Sequence, residues 1–201
     1  MKLLINKQSK RANRVDAITP EIKALGRDLL EFAKSQVSPQ ALGVASTQVF
    51  NGDELMTERM CVVNVTHDYK IPPKWIIAIN PELVRSAGTK GECRETCLSW
   101  PDKYVVADRY PLVLIRFQDE EGKSQTGSYT GLDAEIWQHE LGHLDGTEEV
   151  LIEAAGNKGC VMRRAAYAMK DPIVNKVERL KPNQICTCGS GIKYKKCCGR
   201  R

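Results

Sequence analysis

The stretch Gln138-His139-Glu140-Leu141-Gly142-His143 limits this chain more than any other. Its HExxH spacing sets two histidines four residues apart, a separation that brings side chains to one face on an α-helix. The fold must therefore present a helix whose histidine face meets a metal. Glu140, between the histidines, is placed to move protons for an activated water. A catalytic site of this type takes a third protein ligand and keeps one position open. The chain has only 3 His, and the remaining one, His67, sits in a Thr-His-Asp stretch that reads as a strand end or turn. The third ligand is therefore expected to be Cys, Glu or Asp.

Two residues compete for that place. Cys97 lies in the compact, turn-flanked segment Glu95-Thr96-Cys97-Leu98-Ser99-Trp100-Pro101. Glu149 lies six residues beyond His143 and, with Gly146, gives HExxHxxGxxE. That spacing imitates the metzincin protease pattern, with Glu in place of the usual third His. A third stretch, Gly43-Val44-Ala45-Ser46-Thr47-Gln48, has little side-chain bulk at Gly43 and Ala45 and permits close backbone approach to a ligand.

The rest of the chain supplies a scaffold. Thr19-Pro20-Glu21-Ile22 starts a helix, with Thr as N-cap, Pro at N1 and an acid in the first turn. Ile22, Leu25, Leu29 and Phe32 form its apolar stripe through about Gln36, and Val37-Ser38-Pro39 ends it. Residues 60–66 and 75–79 read as buried strands, the second stopped by Asn80-Pro81. Residues 112–117 and 124–129 read as a hairpin across Asp119-Glu120-Glu121-Gly122. The HExxH helix is expected from about Leu132 to Asp145, capped by Thr130 or Asp133, with Gly146 past its end. On it, Leu132, Ile136, His139 and His143 share a face. A further helix is expected over Cys160 to Met169. Together these elements imply an α+β fold: mostly antiparallel strands packed around a central metal-binding helix.

The 201 residues suffice for one ordinary domain and an appendage. Met1-Lys2-Leu3-Leu4-Ile5-Asn6 lacks the apolar core of a signal peptide, and no run approaches the length of a membrane span. A cytoplasmic location is expected, with no membrane partner. The 8 Cys are then read as thiols and metal ligands. Cys61, Cys93 and Cys160 read as inert thiols.

Taken in order and at these separations, the three stretches resemble the peptide deformylase family, whose motifs run roughly GxGxAAxQ, EGCLS and QHExDH. The resemblance covers about residues 10 to 165. It implies that Cys97, His139 and His143 bind Fe(II) or Zn(II), that Glu140 is the general acid/base, and that Gln48 and the Leu98 amide hold the developing oxyanion. It also implies that Leu42, Gly43, Glu95 and Leu132 lie near the substrate, a formyl-methionyl nascent peptide. An ion pair between Glu95 and Arg109 would orient the cysteine loop. The match has departures: Ala41, Ser46-Thr47, Thr96 and Gly142 stand where the family has Gly, Ala-Pro, Gly and Asp, although the family also uses Thr at the position of Thr47. A glycine within a helix costs about 1 kcal/mol relative to alanine.

The end of the chain is different in kind. Cys186, Cys188, Cys197 and Cys198 fall within thirteen residues, and CxC followed by CC can close a four-sulfur Zn(II) site. The segment resembles the zinc-binding motif at the C-terminus of the SecA translocation ATPase, the SEC-C motif. So short a stretch buries no core, and metal would supply its folding energy. From Lys181 to Arg201 there are six basic residues and no acid, so the net charge of +5 resides there. A concentrated positive segment suits an acidic partner such as RNA or the ribosome. The organisation expected is a metallohydrolase domain over 1–180, then a linker and zinc module over 181–201. Two other functions fit the residues: a metzincin-like metallopeptidase using Glu149, and a weakly active deformylase-like protein that binds ribosomes or RNA.

Overall fold

The computed structural model describes residues 1–37, 40–66, 72–147 and 153–154, with Asn183, Lys193 and Lys196 beyond them. The chain divides into two compact units, Met1–Met162 and Arg163–Arg201. In the second unit, the Lys196 amide donates to the Lys193 carbonyl at 2.8 Å. The four C-terminal cysteines, Glu149, His67 and the helix expected over 160–169 lie outside the described residues.

In chain order the first unit contains β1 (Lys2–Leu3), α1 (Pro20–Ser35), β2 (Gly43–Ala45), a single 3-10 turn (Ser46–Gln48), β3 (Val49–Asn51), β4 (Glu54–Leu55) and β5 (Met60–Asn64). Then follow β6 (Trp75–Ala87), β7 (Gly91–Cys97), β8 (Trp100–Arg109), β9 (Leu112–Gln118), β10 (Ser124–Thr130), α2 (Leu132–Asp145) and β11 (Glu153–Ala154). The central sheet has the order β10-β9-β6-β5-β2 and is antiparallel throughout. Two smaller sheets, β1-β3-β4 and β11-β8-β7, complete the unit.

The central sheet is covered on both faces, which explains why β5 reads as a continuous apolar run. Alternate residues divide between two cores. Cys61, Val63, Ala78, Val113, Ile115 and Phe117 pack with Ala134, Trp137, Leu141 and Leu144 of α2. Met60, Val62, Ile79 and Val44 face the other way and pack with Leu29 and Ala33 of α1. The helix carrying HExxH thus lies on one face of the sheet, as its sequence requires. No described helix is long and apolar enough to cross a membrane.

The two helices form where their local chemistry directs. Thr19 Oγ1 accepts from the Ile22 amide, with Pro20 at the first helical position. Helix α2 spans Leu132–Asp145, and Gly146 closes it in the left-handed region at φ 65°. Its N-cap is Gly131, not Thr130 or Asp133. Thr130 completes β10, and the chain must reverse at once; Gly131 does so at φ 56°, where a side chain would strain the backbone. Asp133 instead occupies the first turn.

The expectation that Asn80-Pro81 stops the second strand fails. β6 continues to Ala87 across a bulge between Ile79 and Glu82. Asn80 takes φ 52° within the bulge, and its side chain ties β6 to the N-terminal arm and to β9. Its Oδ1 accepts from the Val15 amide at 2.8 Å, and its Nδ2 donates to the Val15 carbonyl at 2.8 Å and to Gln118 Oε1 at 2.7 Å.

Candidate metal centre

Three elements deliver the site. β2 and the 3-10 turn bring Gly43 and Gln48. The β7–β8 hairpin brings Cys97 at the end of β7, where the pairing is irregular between Thr96 and Cys97, with Leu98 and Ser99 in the turn. Helix α2 brings His139, Glu140 and His143. β2 packs on α2 through the first core, so residues distant in sequence meet.

Among the described residues, Cys97, His139 and His143 form a group of three metal-competent donors, all within 4.8 Å of one another. His139 Nε2 and His143 Nε2 lie 3.1 Å apart, and Cys97 Sγ lies 3.3 Å from His143 Nε2. Bonds of about 2.0–2.3 Å to a tetrahedral ion put donors about 3.3–3.7 Å apart, so three corners of a tetrahedron are nearly in place. All three residues are buried.

The surroundings fix which atoms face inward. Arg109 clamps Glu95 through two hydrogen bonds of 2.7 and 2.8 Å. Burial opposes ionisation of Glu95, but Arg109 and then His139 outweigh it and hold the carboxyl down at about 2. An ionised carboxylate only accepts, so His139 Nδ1 donates to Glu95 Oε2 at 2.7 Å and the Nε2 lone pair is left for the centre. Burial likewise opposes ionisation of Cys97, yet hydrogen bonds from the two histidines bring the thiol down to about 5. The His139 ring is held well above the ordinary histidine range: burial disfavours charge there, but Cys97 and Glu95 prevail. Groups that favour a proton at this point favour a metal cation there as well.

Glu140 is 3% exposed, and among the described residues its Oε2 has no hydrogen-bond partner. Burial pushes its carboxyl up to about 7, against the opposing influence of the two histidines. Its side chain lies over Gly43, where an added Cβ would fall 2.8 Å from Glu140 Cδ. The absence of a side chain at Gly43 is therefore a condition for the position of Glu140. Gln48 is also buried and fixed at both ends. Its Oε1 accepts from the Ala45 amide at 3.0 Å, which turns its Nε2 toward Ser99 Oγ at 3.1 Å and Cys97 Sγ at 3.5 Å.

The polypeptide deformylase family model matches residues 5–152. A peptide deformylase of Rhodopseudomonas palustris (strain BisB5) is 34% identical over 156 residues, 78% of this chain and 85% of that protein. One from Rhizobium meliloti (strain 1021) is 30% identical over 156 residues, 78% of this chain and 84% of that protein. The chain belongs to the polypeptide deformylase family. Among solved structures, a peptide deformylase from Synechococcus elongatus in complex with actinonin superposes with a TM-score of 0.61 at 30% identity, covering 72% of this chain and 76% of that one. The SEC-C motif matches residues 183–200.

Within this deformylase framework the remaining sequence-selected residues separate into two groups. Leu42 and Leu132 are partly buried and pack against the first core cluster. Glu95 instead spends its carboxylate on Arg109 and His139. The ion pair expected between Glu95 and Arg109 is present; its further contact with His139 was not anticipated. Sequence reasoning also passed over Ser9, 5% exposed, whose Oγ lies 3.0 Å from His143 Nδ1, and Thr47, whose Oγ1 donates to the His143 carbonyl at 3.0 Å.

Proposed function

We propose that this chain hydrolyses the formyl group from the N-formylmethionine of nascent polypeptides. The observation that carries the reading is the convergence of the Cys97, His139 and His143 donors beside the buried Glu140, in a member of the deformylase family. Cys97, His139 and His143 would hold a divalent ion, which would supply the Lewis acidity that lowers the pKa of water toward neutral pH. Glu140 accepts the proton of the attacking water and returns it to the leaving amine; a carboxyl at about 7 suits both transfers. Gln48 Nε2 donates to the oxyanion that develops on the formyl oxygen, and the Leu98 amide is the second donor. Leu42 and Leu132 form the apolar wall that accepts the methionine side chain, and Gly43 admits the peptide backbone. Glu95 adjoins this region and orients His139.

A thiolate with two imidazoles suits Fe(II) and Zn(II) alike. Cys186, Cys188, Cys197 and Cys198 hold a separate structural Zn(II) in a module over 181–201 that follows a catalytic domain over 1–180. The six positive charges of that module favour ribosome or RNA association. The protein acts in the cytoplasm, where nascent chains emerge.

The ligand assignment is tested by metal content. Cys97→Ser abolishes tight binding at the catalytic site, whereas Glu149→Ala leaves it largely intact. Metal content that follows Glu149 and ignores Cys97 would transfer the reading to a metzincin-like peptidase.

A further inference from the structure

The N-terminal arm threads past every segment of the site. The Leu4 amide donates to the Gln48 carbonyl at 2.7 Å, and the Asn6 amide to the Ser99 carbonyl at 2.8 Å. The Ala12 amide donates to the Leu144 carbonyl at 2.8 Å, and Gln8 Nε2 to the Gly146 carbonyl at 2.9 Å. The arm thus binds the 3-10 turn, the cysteine turn and the end of α2 within nine residues of chain. Its buried positions recur every third residue, at Ser9, Ala12 and Val15, while Lys7, Lys10, Arg11 and Arg14 are exposed. At Ser9, a polar side chain occupies the inward position. Its Oγ faces His143 Nδ1 at 3.0 Å, and His143 is fully buried.

We infer that Ser9 is a positioning residue for the metal centre: its hydroxyl oxygen accepts the Nδ1–H of His143 and fixes the ring with Nε2 toward Cys97 and His139. The inference rests on the reading that these three residues hold a metal. His143 Nε2 lies 3.1 Å from His139 Nε2 and 3.3 Å from Cys97 Sγ, so it is the nitrogen that faces the donor group. A neutral imidazole that offers Nε2 as a lone pair carries its proton on Nδ1, and Ser9 is placed to receive it. The two histidines are then held by unlike partners. His139 donates to an ionised carboxylate clamped by Arg109, and His143 to a neutral hydroxyl. Hydrogen bonds to a charged acceptor are roughly twice as strong as neutral ones, so His139 is the more firmly held ligand and Ser9 governs the weaker half of the site. The main-chain bonds on either side of Ser9 keep its hydroxyl in place without help from the metal.

The test uses full-length protein with Ser9→Ala and Ser9→Thr, titrated with Co(II). The Cys97→Ser variant supplies the spectral background, so that the signal from the C-terminal cysteines is subtracted. Loss of an outer partner of a ligand typically weakens metal binding by about 10–100-fold. Ser9→Ala is expected to lose affinity in that range and to alter the Co(II) d–d spectrum, with the melting temperature of the metal-free protein unchanged. Ser9→Thr, which keeps the hydroxyl, is expected to recover most of the affinity. Ser9→Ala affinity within about threefold of wild type would overturn the inference. Equal weakening of both variants, accompanied by a lower metal-free melting temperature, would also overturn it, because packing of the arm and not the hydroxyl would be responsible. Absence of any Cys97-dependent signal in wild type would remove the metal reading itself, and this inference with it.

Discussion

Glu95 shows how much of the centre depends on residues outside the group of Cys97, His139 and His143. Its two oxygens take two bonds from Arg109 and one from His139, in surroundings where Glu95 and Arg109 are only 11% and 13% exposed at the side chain. Removing the carboxylate takes two hydrogen bonds from a buried guanidinium and the Nδ1 acceptor from His139. Glu95→Ala is expected to destabilise the metal-free protein by about 3–5 kcal/mol, the usual cost of stranding one half of a buried pair. It is also expected to lower metal affinity by about 10–100-fold. Urea denaturation and chelator competition measure the two effects separately. The sequence made the converging donors legible because their chemistry is rare: HExxH and a cysteine between turn residues. It did not make their supports legible. The resemblance placed Glu95 near substrate, and the Arg109 pair was expected only as a clamp on the cysteine loop. Ser9 lies in an extended arm buried at every third residue, and neither the helical nor the strand period selects such a position.

At the scale of elements, α2 was readable to its ends. Its period is helical, and Gly146 supplies the left-handed stop that its position predicts. Only the cap differs from expectation, because Gly131 turns the chain through its own backbone where a capping side chain is the usual device. β6 was cut short for the opposite reason. Asn-Pro ordinarily ends a strand, but here Asn80 joins β6 to the arm at Val15 and to β9 at Gln118, and the strand resumes beyond it. That compensation comes from residues distant in sequence. It also makes Asn80 a sensitive position. Asn80→Ala leaves buried amide and carbonyl groups of Val15 unpaired and a β-carbon at φ 52° without the side chain that tolerates it. A loss of about 2–4 kcal/mol is expected, read from the shift in urea midpoint. A loss below about 1 kcal/mol would mean that the bulge is held by the sheet alone.

The whole molecule joins a deformylase unit to a cysteine-rich, positively charged end. The two have separate chemistries, and truncation after Leu180 is expected to remove one zinc per chain while leaving turnover of a small formylated dipeptide nearly unchanged. The same truncation should weaken salt-sensitive association with ribosomes, because such binding depends on the number of cations that displace counterions. Loss of dipeptide turnover in a folded, truncated protein would place the tail within the active site. The central claim concerns the first unit: Cys97, His139 and His143 hold a metal beside Glu140, and together they remove formyl groups. Formate release from formyl-Met-Ala, by protein loaded with Fe(II) without oxygen, tests it most directly. Wild-type protein is predicted to release formate catalytically, and Glu140→Ala to retain its metal while losing at least about a hundredfold in rate. No formate from metal-loaded wild type, or near-wild-type turnover by Glu140→Ala, would contradict the account.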